Sequence, residues 1–170
     1  SPAGWGPSAN CVFNTNDNIW ASWAYVPGAP LPTDNFILSM YVKGNYPAYT
    51  AGSGSTFLDT DGNSGGGVRI SAVDNAGVDY WEVSVVGTTI ATFPVTPATA
   101  QYIEVTCSAS VFSVTLDGVD TGTTVSSTIT WDSLYVGISP GGGSAYSGYF
   151  GDITVINLNP ATLQANMLSF

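Results

Sequence analysis

The chain has 170 residues, of which 44% are hydrophobic and 8% are charged, with twelve acidic residues, two cations and no histidine. A net charge of -10 and a pI near 4.1 disfavour nucleic-acid phosphates and anionic membranes, since no Lys/Arg cluster offsets that charge. The lack of His excludes Ser-His-Asp and Cys-His catalysis and leaves few ligands for zinc. The length fits one domain, and no apolar run reaches the ~20 residues of a membrane span.

Gly and Pro dominate residues 1–8, which predicts an N-terminal arm whose Trp5 would cover another surface. The sequence begins at Ser1 without a basic and apolar leader, which favours a product made without secretion, although a cleaved precursor would begin in the same way. Two short strands are predicted between Cys11 and Tyr25, on either side of a cluster of turn-forming Asn and Asp residues.

Apolar and polar residues alternate most clearly over 36–43, which predicts a strand with one buried face. The same period of two recurs up to residue 158, and turn formers separate the runs, most distinctly at Asp117-Gly118. The sequence therefore predicts an all-β protein, an antiparallel two-sheet β-sandwich over residues 9–158. Further predicted strands are 56–58, 68–73, 80–86, 90–93, 101–108, 111–116, 119–125, 134–139 and 149–158.

Only residues 159–170 have a helical pattern, with Asn159 as N-cap and Pro160 at the first helical position. We predict a short C-terminal helix or arm there. Its apolar stripe either packs on the chain's own sandwich or inserts into a neighbouring subunit. The stripe consists of Leu163, Met167, Leu168 and Phe170.

The two cysteines, Cys11 and Cys107, lie 96 residues apart and match no zinc-binding or redox spacing. Free cysteines behave as small core residues, so two buried thiols are favoured over a disulfide. A disulfide would require the first and middle strands to be neighbours.

Five segments carry short motifs in a fixed order, each consisting of alternation plus a turn. The segments are 9–14 with 18–20, 36–43, 114–118, 134–137 and 149–157. Together they resemble the concanavalin A-like jelly roll, and in particular its laminin-G-like branch. The resemblance departs at 101–105, where the family's usual Trp and His are absent. The resemblance implies architecture and says little about activity, because the same sandwich serves as lectin, glycosidase, adhesion module and viral structural protein.

Catalysis by a retaining glycosidase needs two carboxylates about 5 Å apart. The chain's only glutamates are Glu82 and Glu104, and neither is followed by the acidic residues of the E-x-D-x-x-E strand found in glucanases of this fold. We therefore predict that the protein is not an enzyme and needs no cofactor.

A glycine-rich loop contains the best candidate for a metal site, a calcium ion held by Asp59, Asp61 and Asn63. The alternative is a solvated turn whose Asp and Asn side chains hydrogen-bond their own backbone. The loop does not match a helix-flanked calcium loop, because Ser64 and Ile70 stand where Gly and Glu are required.

Aromatic side chains near the loops offer flat faces on which sugar rings stack. Trp23 and Tyr25 equally fit a role in the core, and Tyr46, Tyr49 and Tyr146 equally fit a subunit contact. The candidates for carbohydrate binding are Trp23, Tyr25, Tyr46, Tyr49 and Tyr146.

Two functions fit these features. The first is a viral structural accessory protein at the virion surface, such as a bacteriophage capsid decoration protein, attached through both terminal segments to the major capsid protein or to further copies of itself. This hypothesis rests on analogy with other small sandwiches. The alternative is an extracellular carbohydrate-binding module or lectin that binds surface glycans.

Overall fold

The computed structural model describes residues 12–14, 23–25, 32–44, 54–61, 65–96, 99–130, 134–136 and 148–158. Within them, twelve strands form two six-stranded sheets, and there is no helix. No helix in this part of the chain is therefore long and apolar enough to cross a membrane. The strands are β1 (Val12–Asn14), β2 (Trp23–Tyr25), β3 (Phe36–Gly44), β4 (Gly54–Asp59), β5 (Val68–Asn75), β6 (Val78–Val85), β7 (Thr88–Pro94), β8 (Gln101–Ser108), β9 (Val111–Leu116), β10 (Val119–Ser126), β11 (Leu134–Val136) and β12 (Gly148–Asn157).

Every recorded strand pairing is antiparallel, and the strand order mixes near and distant segments of the chain. Sheet A has the order β1-β12-β3-β8-β9-β10, and sheet B has the order β2-β11-β4-β5-β6-β7. The predicted two-sheet antiparallel β-sandwich is confirmed. The predicted terminal segments, residues 1–8 and 159–170, lie outside the described residues.

Alternation decides which face of each strand enters the core. In β3 the side chains of Phe36, Leu38, Met40 and Val42 are fully buried, and the residues between them point to the other face. Strand β8 follows the same rule, with buried residues at every second position. The apolar faces of both sheets form one core cluster, so each sheet has an inner face and an outer face.

The hairpin between β9 and β10 confirms the turn predicted at Asp117-Gly118. Both residues have positive φ angles, 50° and 79°, as a two-residue hairpin of the mirror-image class requires. The Asp117 carboxylate also accepts a 2.7 Å hydrogen bond from the backbone N–H of Tyr102. The turn thereby links β8 to the β9–β10 hairpin.

Cys107 is a buried free thiol on β8. Its Sγ donates a hydrogen bond to the carbonyl of Asp34 at 3.2 Å. Burial is the main cause that raises the pKa of this thiol, which keeps it neutral and unreactive. Strands β1 and β8 are separated by β12 and β3, and Cys11 lies outside the described residues.

Candidate functional site

The aromatic residues predicted to bind carbohydrate fall largely beyond the described part of the chain. Trp23 and Tyr25 lie on β2, the end strand of sheet B, where their backbones pair with Val136 and Leu134. The other predicted binding and interaction residues lie outside the described residues. These are Tyr46, Tyr49, Tyr146, Trp5, Leu163, Met167, Leu168 and Phe170.

Asp59 and Asp61 form part of a buried polar network. The alternative of a solvated turn was wrong about solvation at these positions, since the two residues are 1% and 2% exposed. The Asp59 carboxylate accepts hydrogen bonds from the backbone N–H of Asp61 at 3.1 Å and from Arg69 Nε at 2.9 Å, and Arg69 Nη2 lies 2.7 Å away. The carboxylate is therefore held by donors from its own loop and from β5.

Asp61 organises the glycines that follow it. Its two carboxylate oxygens accept hydrogen bonds from the backbone N–H groups of Gly65 and Gly66. Together with Asp59, it confirms the interpretation that these side chains satisfy their own backbone. Among the described residues, no group of three His, Cys, Asp or Glu side chains is clustered for metal binding. Calcium binding with Asn63, which lies outside them, stays a prediction.

The outer face of sheet A carries a pair of tyrosines at its centre. Tyr41 of β3 and Tyr102 of β8 are directly opposed across two antiparallel strands. Their ring centroids are 4.9 Å apart, and the ring planes are inclined by 48°. Tyr41 is 38% exposed and Tyr102 is half-buried. On β12, the residue opposite Tyr41 is Gly151, which has no side chain.

A row of polar residues runs beside the tyrosine pair across all the strands from β12 to β10. The register aligns it one pleat away from the tyrosines, on the same outer face. The Tyr102 hydroxyl lies 3.5 Å from a carboxylate oxygen of Glu104, which belongs to this row. The row consists of Thr154, Ser39, Glu104, Thr115 and Asp120. We call the tyrosine pair and this row the Tyr41–Tyr102 face.

Strand β12 is irregular beside this face. Its register with β3 shifts between Gly151 and Thr154, and Asp152 has a positive φ of 49°. Such bulges redirect side chains and recur next to binding sites. The bulge leaves Asp152 exposed next to Gly151.

The two glutamates of the chain lie on opposite sides of the sandwich. Glu104 is on the outer face of sheet A, whereas Glu82 is on the outer face of sheet B, opposite Ser71 and Thr92. Packed sheets are about 10 Å apart, so two outer faces are farther apart than any glycosidase carboxylate pair. Glu82 and Glu104 cannot act on one sugar bond together.

The sequence contains a signal for the Tyr41–Tyr102 face, which lies on strands and not among the aromatic residues near the loops. Alternation places Tyr41 on the other face of its strand from Phe36 and Met40. It likewise places Tyr102 on the other face from Ile103, so each tyrosine belongs to a solvent face. That the two are neighbours depends on the pairing of β3 with β8, which local pattern does not determine.

No family model matches the sequence. No curated protein matches it at a significant level either. Solved structures that are similar to this chain do exist.

Three similar structures illustrate what the comparison finds. The receptor-binding domain of botulinum neurotoxin type G has a TM-score of 0.58 at 12% identity, over 92% of this chain and 44% of that chain. A second similar structure is domain 4 of AbnA, a GH43 extracellular arabinanase from Geobacillus stearothermophilus, in complex with arabinotriose. Its TM-score is 0.52 at 12% identity, over 92% of this chain and 86% of that chain. The catalytic domain of a glycoside hydrolase family 131 protein from Coprinopsis cinerea has a TM-score of 0.53 at 11% identity, over 78% and 60%.

At these identities the likeness shows the fold, a jelly-roll β-sandwich consistent with the concanavalin A-like architecture. The chain spans less than two thirds of the neurotoxin domain and of the family 131 domain. It spans most of the arabinanase domain.

Proposed function

We propose that this protein is a non-catalytic carbohydrate-binding domain and that the Tyr41–Tyr102 face binds the glycan. The observation that carries the proposal is the tilted tyrosine pair on the outer face of the neighbouring strands β3 and β8, with 4.9 Å between the ring centroids and Tyr41 38% exposed. Tyrosine combines an apolar ring with a polar hydroxyl, which suits the alternating apolar and hydroxyl-bearing surfaces of a pyranose.

Support also comes from the polar row beside the rings. Ser39 is only 4% exposed, so the hydroxyls that a ligand can reach are those of Thr115 and Thr154. A hydroxyl both donates and accepts hydrogen bonds, and the Glu104 carboxylate accepts them. Sugar hydroxyls need both kinds of partner. Because these residues lie on paired strands and not on loops, the sheet holds them in place before a ligand binds, which lowers the entropy cost of binding.

Several proteins with similar structures are described as acting on or binding carbohydrate. The arabinanase domain was solved with arabinotriose, and a sialidase from Trypanosoma rangeli is also similar, with a TM-score of 0.50 at 16% identity. These descriptions belong to those proteins. They favour a test of glycan binding before a test of other functions. Assignment to the laminin-G-like branch likewise stays a proposal, based on the motifs of the sequence.

A binding experiment with tyrosine variants tests the proposal. Purified protein is screened on a glycan array, and the affinity for the best ligand is measured by calorimetry. Tyr41→Ala and Tyr102→Ala are each expected to weaken binding about tenfold, because an aromatic stacking contact contributes roughly 1 kcal/mol beyond its buried area. Tyr41→Phe keeps the ring and is expected to retain most of the affinity.

Tyr80→Ala is the matched control, because Tyr80 is a half-buried tyrosine on the outer face of sheet B. It is expected to bind glycan like the unmodified protein. Equal losses of glycan affinity in Tyr80→Ala and Tyr41→Ala would contradict the proposed site. Release of shortened sugars from the ligand would show that the protein is an enzyme and contradict a non-catalytic function.

The capsid decoration hypothesis stays a prediction without support from the described residues or from the similar structures. The segments that would attach to a particle, 1–8 and 159–170, lie outside the described residues. Deletion of both segments separates the two functions. A glycan-binding domain retains its ligand after the deletion, whereas a decoration protein loses its attachment.

A further inference from the structure

The Tyr41–Tyr102 face has carboxylates around it. Glu104 and Asp120 belong to its polar row, two strands apart, and Asp120 is exposed. Asp117 is exposed in the turn between β9 and β10, where its carboxylate accepts a hydrogen bond from the backbone N–H of Tyr102. Asp152 is exposed in the bulge next to Gly151. The rim of the tyrosine pair is therefore acidic on the β8–β10 side and on the β12 side.

The face has a single cation near it, the buried Lys43, against four carboxylates, those of Glu104, Asp117, Asp120 and Asp152. Arg69 lies on the outer face of sheet B and forms an ion pair with the buried Asp59. Lys43 lies on β3, on the same side as Tyr41, but it is only 8% exposed. The chain contains no other Lys or Arg and no His.

We infer that the ligand of the Tyr41–Tyr102 face is a glycan without acidic groups, an inference that rests on the proposed function. Uronic, sialic and sulfated sugars would bring a negative charge close to several carboxylates. Protein sites for such anions use bidentate arginine or clustered lysine, and this face offers neither. Neutral hydroxyls, by contrast, donate hydrogen bonds to carboxylates without charge repulsion.

Matched glycan pairs that differ only in acidic groups test the inference. Suitable probes are methyl-esterified and de-esterified polygalacturonan, xylan with and without glucuronate, and asialo and sialylated N-glycans. At low salt the neutral member is expected to bind about tenfold more tightly, because repulsion from several carboxylates within a Debye length adds up. Added salt is expected to shrink that ratio by screening.

Charge-neutral variants identify the groups responsible. The double variant Glu104→Gln, Asp120→Asn keeps size and hydrogen-bonding capacity, including an acceptor for the Gly122 N–H that Asp120 now bonds. It is expected to reduce the ratio between neutral and acidic members several-fold. Glu82→Gln on the opposite outer face is the control and is expected to leave the ratio unchanged.

The outcomes separate the inference from the proposed function. Equal or tighter binding of acidic members, still lost in Tyr41→Ala, overturns the inference and leaves glycan binding at this face intact. Binding that is insensitive to Tyr41→Ala and Tyr102→Ala, or no binding to any probe, overturns the proposed function and the inference with it.

Discussion

Gln101 is a buried amide that joins three segments of the sandwich. Its Oε1 accepts hydrogen bonds from the Trp81 indole N–H at 2.8 Å and from the backbone N–H of Thr96 at 2.9 Å. Its Nε2 donates to the carbonyl of Pro94 at 3.3 Å. Trp81 itself is fully buried and packs edge-on against Phe57. The Gln101 side chain thus satisfies the indole N–H of Trp81, the largest fully buried side chain among the described residues.

Replacement of Gln101 by Leu is expected to destabilise the protein by about 2 kcal/mol. The cost arises because the buried indole N–H of Trp81 loses its acceptor, which costs roughly 1–3 kcal/mol. Urea unfolding followed by tryptophan fluorescence and circular dichroism measures the change. In a Trp81→Phe background the donor is gone, so the same Gln101→Leu change is expected to cost less. An equal cost in both backgrounds would show that the hydrogen bond is not the cause.

The described residues of the connection between β4 and β5, 60–61 and 65–67, are held by packing and hydrogen bonds. Thr60 is fully buried, and its Oγ1 accepts a 2.8 Å hydrogen bond from the backbone N–H of Val68. Gly67 packs directly against that oxygen, so a Cβ atom on Gly67 would overlap it. The carbonyls of Gly66 and Gly67 accept hydrogen bonds from the N–H groups of Thr130 and Val86. Glycine at position 67 is therefore required by packing.

Gly67→Ala is expected to destabilise the protein by about 2–3 kcal/mol, since the new methyl group must displace Thr60 from a packed site. Gly65→Ala is the matched control in the same loop. Gly65 has open space around it and a φ of 79°, so its variant is expected to cost only about 1 kcal/mol of backbone strain. Guanidinium unfolding compares the two variants. A smaller loss for Gly67→Ala than for Gly65→Ala would contradict the packing argument.

The strands themselves were largely predictable from sequence, and their pairing was not. Strands β8 and β9 coincide with the predicted ranges, and β3 extends the predicted strand by a single residue, Gly44. Alternation and turn chemistry are local, so they locate strands and hairpins well. The contact between Tyr41 and Tyr102 joins residues 61 positions apart and exists only because β3 pairs with β8. Burial of Asp59 likewise needs Arg69 from the next strand, which a loop pattern does not indicate.

The molecule as a whole carries far more negative than positive charge. Twelve acidic residues face two cations, and one of those cations is already bound to Asp59. Repulsion among the remaining carboxylates opposes compaction, and salt screens it. The stability of this protein is therefore expected to increase with ionic strength.

At pH 7 the melting temperature is expected to rise by a few degrees between about 10 mM and about 200 mM NaCl, as the Debye length falls. Differential scanning calorimetry measures the shift. Near pH 4, close to the pI of about 4.1, the net charge disappears and the salt effect is expected to vanish. A melting temperature that falls with salt at pH 7 would mean that ion pairs outweigh the general repulsion.

The position of β12 between β1 and β3 in sheet A has a consequence for how the protein is made. Strand β3 pairs with β8 on one side and with β12, residues 148–157, on the other. During synthesis the consecutive hairpins from β4 to β7 and from β8 to β10 can form as soon as they leave the ribosome. Strand β3 must wait with one edge unpaired until β12 has been translated, and an unpaired edge invites aggregation. Sheet A is therefore expected to be completed only after β12 has been synthesised.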